Sequence, residues 1–429
     1  MNQLTAVPIK WYHRLGPGLI TACVVIGPGS ITTSTQVGAT HGFALTWVVL
    51  VAVVFMMTFM QLGARLGAVA TQSPAELLRS RFGRPLAVLI GIGTFFISAS
   101  FQFGNNLGVD AAVKELSRDL LSAETRESLL PWFDYSVVAF NALAIAFLLA
   151  FKNLYRALER LMMCFVGLML ISFALNLVFA LANQTPVAEP VADAAPASLL
   201  DFSLLGLVGT TFVITAAFYQ AYLVQQKGWT RDDVALGMRD ARIGSILMAL
   251  ITLMIMCTAA AVLRGQSLLN YTEVSSQLAP LFGVWGRPLF CIGLFAAAYS
   301  SFLVNSMIGG FILADGLGLG SRPDQPATRA LTIAVLVIGM GVALFVIQAG
   351  FDPVPAVVAA QAVTVIAAPL TAWALIWLTN NKSIMGADTN STATNVVAWL
   401  GFGLLLVMAG YTAFAKVIPK VTYWISSAA

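Results

Sequence analysis

Apolar stretches long enough to cross a ~30 Å hydrocarbon layer recur from one end of this chain to the other. They are predicted near residues 16–38, 44–66, 85–109, 135–151, 161–183, 203–225, 243–263, 286–313, 328–348, 353–378 and 394–415. Eleven spans in 429 residues leave no stretch for a soluble domain. Composition agrees, with 59% hydrophobic and 10% charged residues, against roughly 25% charged in a soluble domain. The expected fold class is all-α integral membrane.

The first span follows Lys10 and Arg14, lacks a small-residue cleavage site and is followed by more spans, so it reads as retained and not as a signal peptide. Cys23, Cys164, Cys257 and Cys291 lie in apolar stretches without a CxxC pair, which favours buried small side chains over a disulfide or metal framework. With the N-terminus in the cytoplasm, most Lys and Arg, among them Arg65, Arg79, Arg81, Arg84, Arg156 and Lys227, fall in cytoplasmic segments. The positive-inside rule then gives N-in and C-out, in a bacterial inner membrane. The net charge of +4 is explained without a nucleic-acid partner.

The Pro/Ala-rich stretch at 184–202 separates five spans from the next five. An odd number of helices before a linker inserts the following set upside down. The expected organisation is therefore a first repeat over 1–183, an extracellular linker at 184–202, a second repeat over 203–378, and an added eleventh span with the C-terminus over 379–429. This is a LeuT/APC-type 5+5 inverted repeat plus one extra helix, in which the first helix of each repeat is broken where it meets substrate. In IGPGSITTSTQ, Gly27, Pro28 and Gly29 interrupt the first span halfway. The alternative is a plain kink, since Gly and Pro are common in membrane helices. The matching sixth span has no proline, and its break would rest on Gly209 and the Thr210, Thr211 pair.

Every carboxylate is placed in a loop or at a span end, including Asp110 and Glu115 in a polar connection at 110–134. Neither His13 nor His41 is central. The midplane offers neutral polarity instead: Ser30, Thr32, Thr33 and Thr35; Gln102, Asn105 and Asn106; Thr210, Thr211, Thr215, Tyr219 and Gln220; Gln361 and Thr364. Such residues also serve as interhelical glue. Ser30 stands apart, because it opens a half-helix whose free N–H groups and positive end point into the break. No nucleophile and base pair or phosphate-cradling loop appears, so an enzyme is not expected, nor is a cofactor or a bound metal.

Several blocks resemble the NRAMP divalent-metal transporters. LGPGLITACVVIGPGSITTSTQVGATHGFALTWVVL is similar to that family's first two helices, with GPGS where its Asp-Pro-Gly-Asn motif belongs. LFCIGLFAAAYSSFLVNSMIGGFILADGLG resembles its eighth helix, and QAVTVIAAPLTAWALIWLTNNKSIMG its tenth. The resemblance runs from about residue 14 to 415. It implies that the metal-binding Asp falls on Gly27, the Asn on Ser30, the Met on Val213, the carbonyl donor on Thr210 and the tenth-helix Gln on Gln361, with Gly29 inside the motif. The acidic pair of the family's proton route falls on Gln102 and Asn105, and its sixth-helix histidines on Thr215 and Gln220. On this reading the metal site is degenerate, since the titratable and soft groups are replaced by neutral ones.

A carboxylate-free centre favours a small neutral, zwitterionic or anionic solute, carried without the family's proton coupling. The alternative is a divalent cation that keeps most of its water, such as Mg²⁺ or Mn²⁺. A second alternative is a non-transporting scaffold or sensor. The partners implied are a small polar solute or ion and the lipid bilayer.

Overall fold

In hydrocarbon no water is available to a backbone N–H or C=O, and a helix satisfies nearly all of its own. The computed structural model follows this rule: every regular element among the described residues is helical, and the structure describes residues 16–150, 154–182, 202–265, 268 and 286–419. The chain opens with α1 (Pro17–Val25) and α2 (Pro28–His41), bent by 55° where they meet. Next come α3 (Thr46–Val69), the short α4 (Pro74–Phe82), α5 (Arg84–Leu120), α6 (Ala123–Phe133), α7 (Ser136–Ala150) and α8 (Leu154–Ala182). The second set starts on another interrupted helix, α9 (Phe202–Thr211) and α10 (Ile214–Lys227). It continues through α11 (Val234–Val262), α12 (Gly286–Leu317), α13 (Pro326–Gln348), α14 (Pro353–Thr364) and α15 (Ala368–Asn380), and α16 (Thr392–Tyr411) ends the bundle.

Among the described residues nine helical spans are long and apolar enough to cross a membrane, or ten with the bent α1–α2 pair counted as one. The shorter apolar α7 supplies the remaining expected segment. The architecture is the inverted repeat with one added helix. The expected linker lies outside the described residues, apart from Phe202 at the start of α9.

Apolar attraction does not hold helices together in lipid; close backbone packing does. A Cβ at Gly63 or Gly67 of α3 would run into the carbonyls of Ala217 and Ala221 on α10, so these glycines let the two helices touch backbone to backbone. Burial falls from centre to rim. The window of Ser203–Lys227 is 94% buried and that of Cys291–Leu317 89%, against 28% for Pro326–Gln348 and 33% for Leu154–Ala182. Thus α9, α10 and α12 form the centre, while α8 and α13 turn mostly to lipid, with side chains such as Ile171 and Phe345 exposed.

Two expectations need correction. Residues 110–120 are not loop but the last turns of α5, with Asp110 and Glu115 buried in it. Lys114 bonds Asp110 one turn away at 2.9 Å and Asp134 at 2.7 Å, which compensates charge at that end of α5. The cysteines are all free, but only Cys23 and Cys291 are buried; Cys164 is exposed and Cys257 partly so. Toward lipid, an exposed thiol costs little because its surroundings are apolar there too.

Candidate functional site

The break in the first helix is built by Gly27 and Pro28. Gly27 is extended at φ −96°, ψ 175° and caps α2, and Pro28 takes the first helical position, where a missing N–H costs nothing. The N–H groups of Gly29 and Ser30 then have no intrahelical acceptor. Ser30 is 2% exposed and its hydroxyl has no partner among the described residues. Thr32 and Thr33 instead turn back on their own helix, donating to Pro28 O at 2.7 Å and Gly29 O at 2.9 Å.

The second break lies at Phe212 and Val213, just beyond the expected Gly209 to Thr211 segment. Phe212 packs between Phe55 and Phe59 of α3, with ring centroids 5.9 and 5.3 Å away, and its N–H makes the last helical bond before the break, to Val208 O at 2.7 Å. The two breaks touch through the Thr33 and Thr210 hydroxyls, 3.0 Å apart.

Gln361 of α14 enters the same centre. A Cβ at Gly29 would lie 2.6 Å from its Nε2, and one at Gly104 of α5 3.1 Å from it, so the amide sits in a slot between two glycines. The side chain is fully buried, and neither Oε1 nor Nε2 has a hydrogen-bond partner among the described residues. Gly27, Gly29, Ser30, Thr210 and Gln361 therefore come together. Val213 does not join them as closely: with Thr215 it lines a small, mostly apolar niche beside Ile97, Phe101 and Leu405.

The four positions grouped by the proton-route resemblance are split. Gln102 and Asn105 lie behind Gly27, where Asn105 Nδ2 donates to Gln102 Oε1 at 2.6 Å and Gln102 Nε2 donates to Phe302 O at 2.9 Å. Thr215 is in the niche. Gln220 reaches the start of α1: with its amide nitrogen turned that way it donates to Pro17 O at 3.0 Å, and its oxygen accepts from the Gly18 N–H at 3.2 Å.

Two buried carboxylates are taken up by helix starts, where the positive dipole end favours them. Asp240 accepts from the Gly16 and Gly18 N–H groups at 2.9 and 2.5 Å, near the Lys227–Glu159 ion pair. Asp315 accepts from Tyr222 Oη at 2.6 Å, Ser73 Oγ at 2.8 Å and Ala75 N at 3.2 Å. Among the described residues, no three His, Cys, Asp or Glu side chains gather in a metal-binding group. Sequence reasoning passed over Ser301 and Asn305 of α12, whose Asn305 Nδ2 donates to Ser301 Oγ at 2.7 Å. Their signal was a polar i, i+4 pair in an apolar span, which marks one face of a helix.

The family model described as natural resistance-associated macrophage protein-like matches residues 18–415. The chain belongs to the Nramp family. Curated Nramp relatives include the divalent metal cation transporter MntH of Verminephrobacter eiseniae, 28% identical over 395 residues, covering 90% of this chain and 85% of the relative. The protein of the same name from Deinococcus radiodurans is 24% identical over 406 residues, covering 92% and 88%. The Nramp fold is matched by the solved manganese transporter of Eremococcus coleocola at TM-score 0.76 and 17% identity, over 96% of this chain and 89% of that one. MhsT in complex with L-phenylalanine matches at TM-score 0.59 and 16% identity, over 92% and 98%. These relatives overturn the expectation of a non-metal solute, because Nramp proteins named for divalent metal cations align with nine-tenths of the chain. That expectation assumed a fully stripped ion, which a neutral centre cannot hold; an ion that keeps its water does not meet that objection. The Nramp scaffold is a membrane transporter's, not an enzyme's.

Proposed function

We propose that this chain is a secondary transporter of divalent metal cations, which cross its centre largely hydrated. The divalent metal cation transporters among its relatives support the cargo. The observation that carries the hydrated state is Gln361, a fully buried amide with no partner at either end among the described residues. A buried polar group left unpaired costs about 1–3 kcal/mol, so a visiting polar species is the natural partner. Waters bound to a cation present O–H donors, which Gln361 Oε1 and the Ser30 and Thr210 hydroxyls accept. Mg²⁺ sheds its waters reluctantly and suits such walls. Gly27 and Gly29 let Ser301, Asn105 and the Gln361 amide approach the break closely, and Val213 lies at its edge. With the positive-inside orientation, the Gly16 end of α1 faces the cytoplasm.

The test is uptake into proteoliposomes carrying a divalent-sensitive dye, with Mg²⁺, Mn²⁺ and Cd²⁺ supplied in turn. Flux of Mg²⁺ or Mn²⁺ exceeding that of Cd²⁺, and reduced by Gln361→Ala, is expected. Absence of flux for all three ions would remove the proposal, and a preference for Cd²⁺ would remove the hydrated mode.

A further inference from the structure

Since α1 stops at Val25, carbonyls of its last turn lose their intrahelical partners, and the C-terminal end of a half-helix carries partial negative charge. Val24 O is met by the Ser301 hydroxyl at a long 3.4 Å. Asn305 Nδ2 donates to Ser301 Oγ at 2.7 Å, which leaves the Ser301 proton to the Val24 side. On the facing helix, the bonds from Gln102 to Phe302 O and from Asn105 to Gln102 dictate that Asn105 turns its carbonyl oxygen, not its NH₂, toward the break. Asn105 is 1% exposed, and Oδ1 has no partner among the described residues. Asn105 Oδ1 and Ser301 Oγ both close on Gly27 where a side chain would stand, 3.0 and 2.7 Å from the position of a Cβ. Asn105 and Asn305 each commit one N–H to these bonds, and the polar atoms that meet at Gly27 are the oxygens of Asn105 and Ser301.

We propose that the corner formed by Val24 O, Ser301 Oγ and Asn105 Oδ1 is a site for a monovalent cation of sodium size, whose occupancy drives divalent uptake. The uptake half rests on the transport reading above, whereas the binding half does not. Dehydration cost rises with the square of the charge, so neutral oxygens that cannot strip a divalent ion can replace the shell of a monovalent one, as rings of carbonyls do in ion-selective pores. Carbonyls at half-helix C-terminal ends are also where transporters with broken helices coordinate coupling ions. An ion here would tie α1 to α5 and α12, and by binding one arrangement of them better than another it would shift their equilibrium.

The test uses the purified full-length protein in detergent, with ²²Na⁺ binding followed in a choline background free of divalent ions. Saturable binding is expected, displaced by Li⁺ better than by K⁺ and weakened about tenfold by Asn105→Ala and by the near-isosteric Ser301→Cys. Melting in sodium-free buffer checks that each variant is folded. No saturable binding, or binding that folded forms of both variants retain in full, overturns the site. In proteoliposomes, divalent uptake stimulated by an inward Na⁺ gradient supports the coupling, and uptake indifferent to Na⁺ overturns it. Sodium binding that is sensitive to both substitutions, without uptake of any divalent ion, upholds the site and sinks the transport reading instead.

Discussion

The two interrupted helices do the same job by different means. The first is bent by 55° at Gly27 and Pro28, so local chemistry alone breaks it. The second, at Phe212 and Val213, keeps α9 and α10 nearly enough in line to read as one 25-residue span, and it comes where Phe212 packs between Phe55 and Phe59. One break is written into the backbone and the other sits against a neighbour. The polar groups follow suit: the first break carries the unpartnered Ser30 and the slot for Gln361, while the second turns Val213 into an apolar niche. The first break therefore gathers unpartnered polar groups, Ser30 of its own repeat and Gln361 of the other, and the second break faces an apolar wall.

The largest effect that would break this contrast is expected at Gly29. Gly29→Ala puts a methyl against the Gln361 amide, overpacking that costs about 1–3 kcal/mol. Divalent uptake in proteoliposomes should fall about ten- to hundredfold; wild-type flux would mean that Gln361 has room to leave the slot. Gly27→Asp, the change suggested by the resemblance of GPGS to an Asp-Pro-Gly-Asn motif, should crowd Ser301 and Asn105 at a similar cost of about 1–3 kcal/mol. Relief by an added Ser301→Ala, read as recovered thermal stability, would establish where that side chain points.

Gln361→Ala should separate function from stability. It removes a buried amide with no partner at either end, whose unpaired burial costs about 1–3 kcal/mol, so the melting temperature should hold or rise while uptake falls about tenfold. A parallel loss of both would show that Gln361 is packing and not recognition. Smaller still is the link between the breaks. A double-mutant cycle of Thr33→Val and Thr210→Val should give a coupling near the ~0.6 kcal/mol typical of such membrane hydrogen bonds, read from unfolding in mixed micelles. The smallest effect on the backbone is expected for Ile214→Pro at the start of α10, where the N–H is spare. A loss of about 0.5–1.5 kcal/mol, what trimming this buried side chain costs by itself, would show that the second break tolerates what the first requires, and a collapse would show that its backbone is not a helix start.

The spans and the first break were legible because hydrophobic length and Gly-Pro-Gly act locally. The end of the third span was not: Asp110 and Glu115 look like loop residues until Lys114 is seen to compensate Asp110, and Arg118 Glu115, from the same helix. The second break was misplaced because nothing in its own residues announces it; the aromatic pair packed against it lies on α3. Gln361, Ser30 and Thr210 could be read from their types and positions. Which end of Asn105 faces the centre could not, because that is set by Phe302 O on another helix through Gln102. The preference for a non-metal solute over a divalent cation failed for a related reason: a list of side chains records the charge at a site but not the water an ion brings with it.

The glycines at 63 and 67 have a mechanical consequence. With no side chain between them, α3 and α10 are geared together, although they come from opposite halves of the chain. Any tilt of α10 during a transport cycle must carry α3 along as a passenger. A reporter pair spanning these two helices should hold one spacing throughout, while a pair from α3 to a helix outside this couple records the stroke.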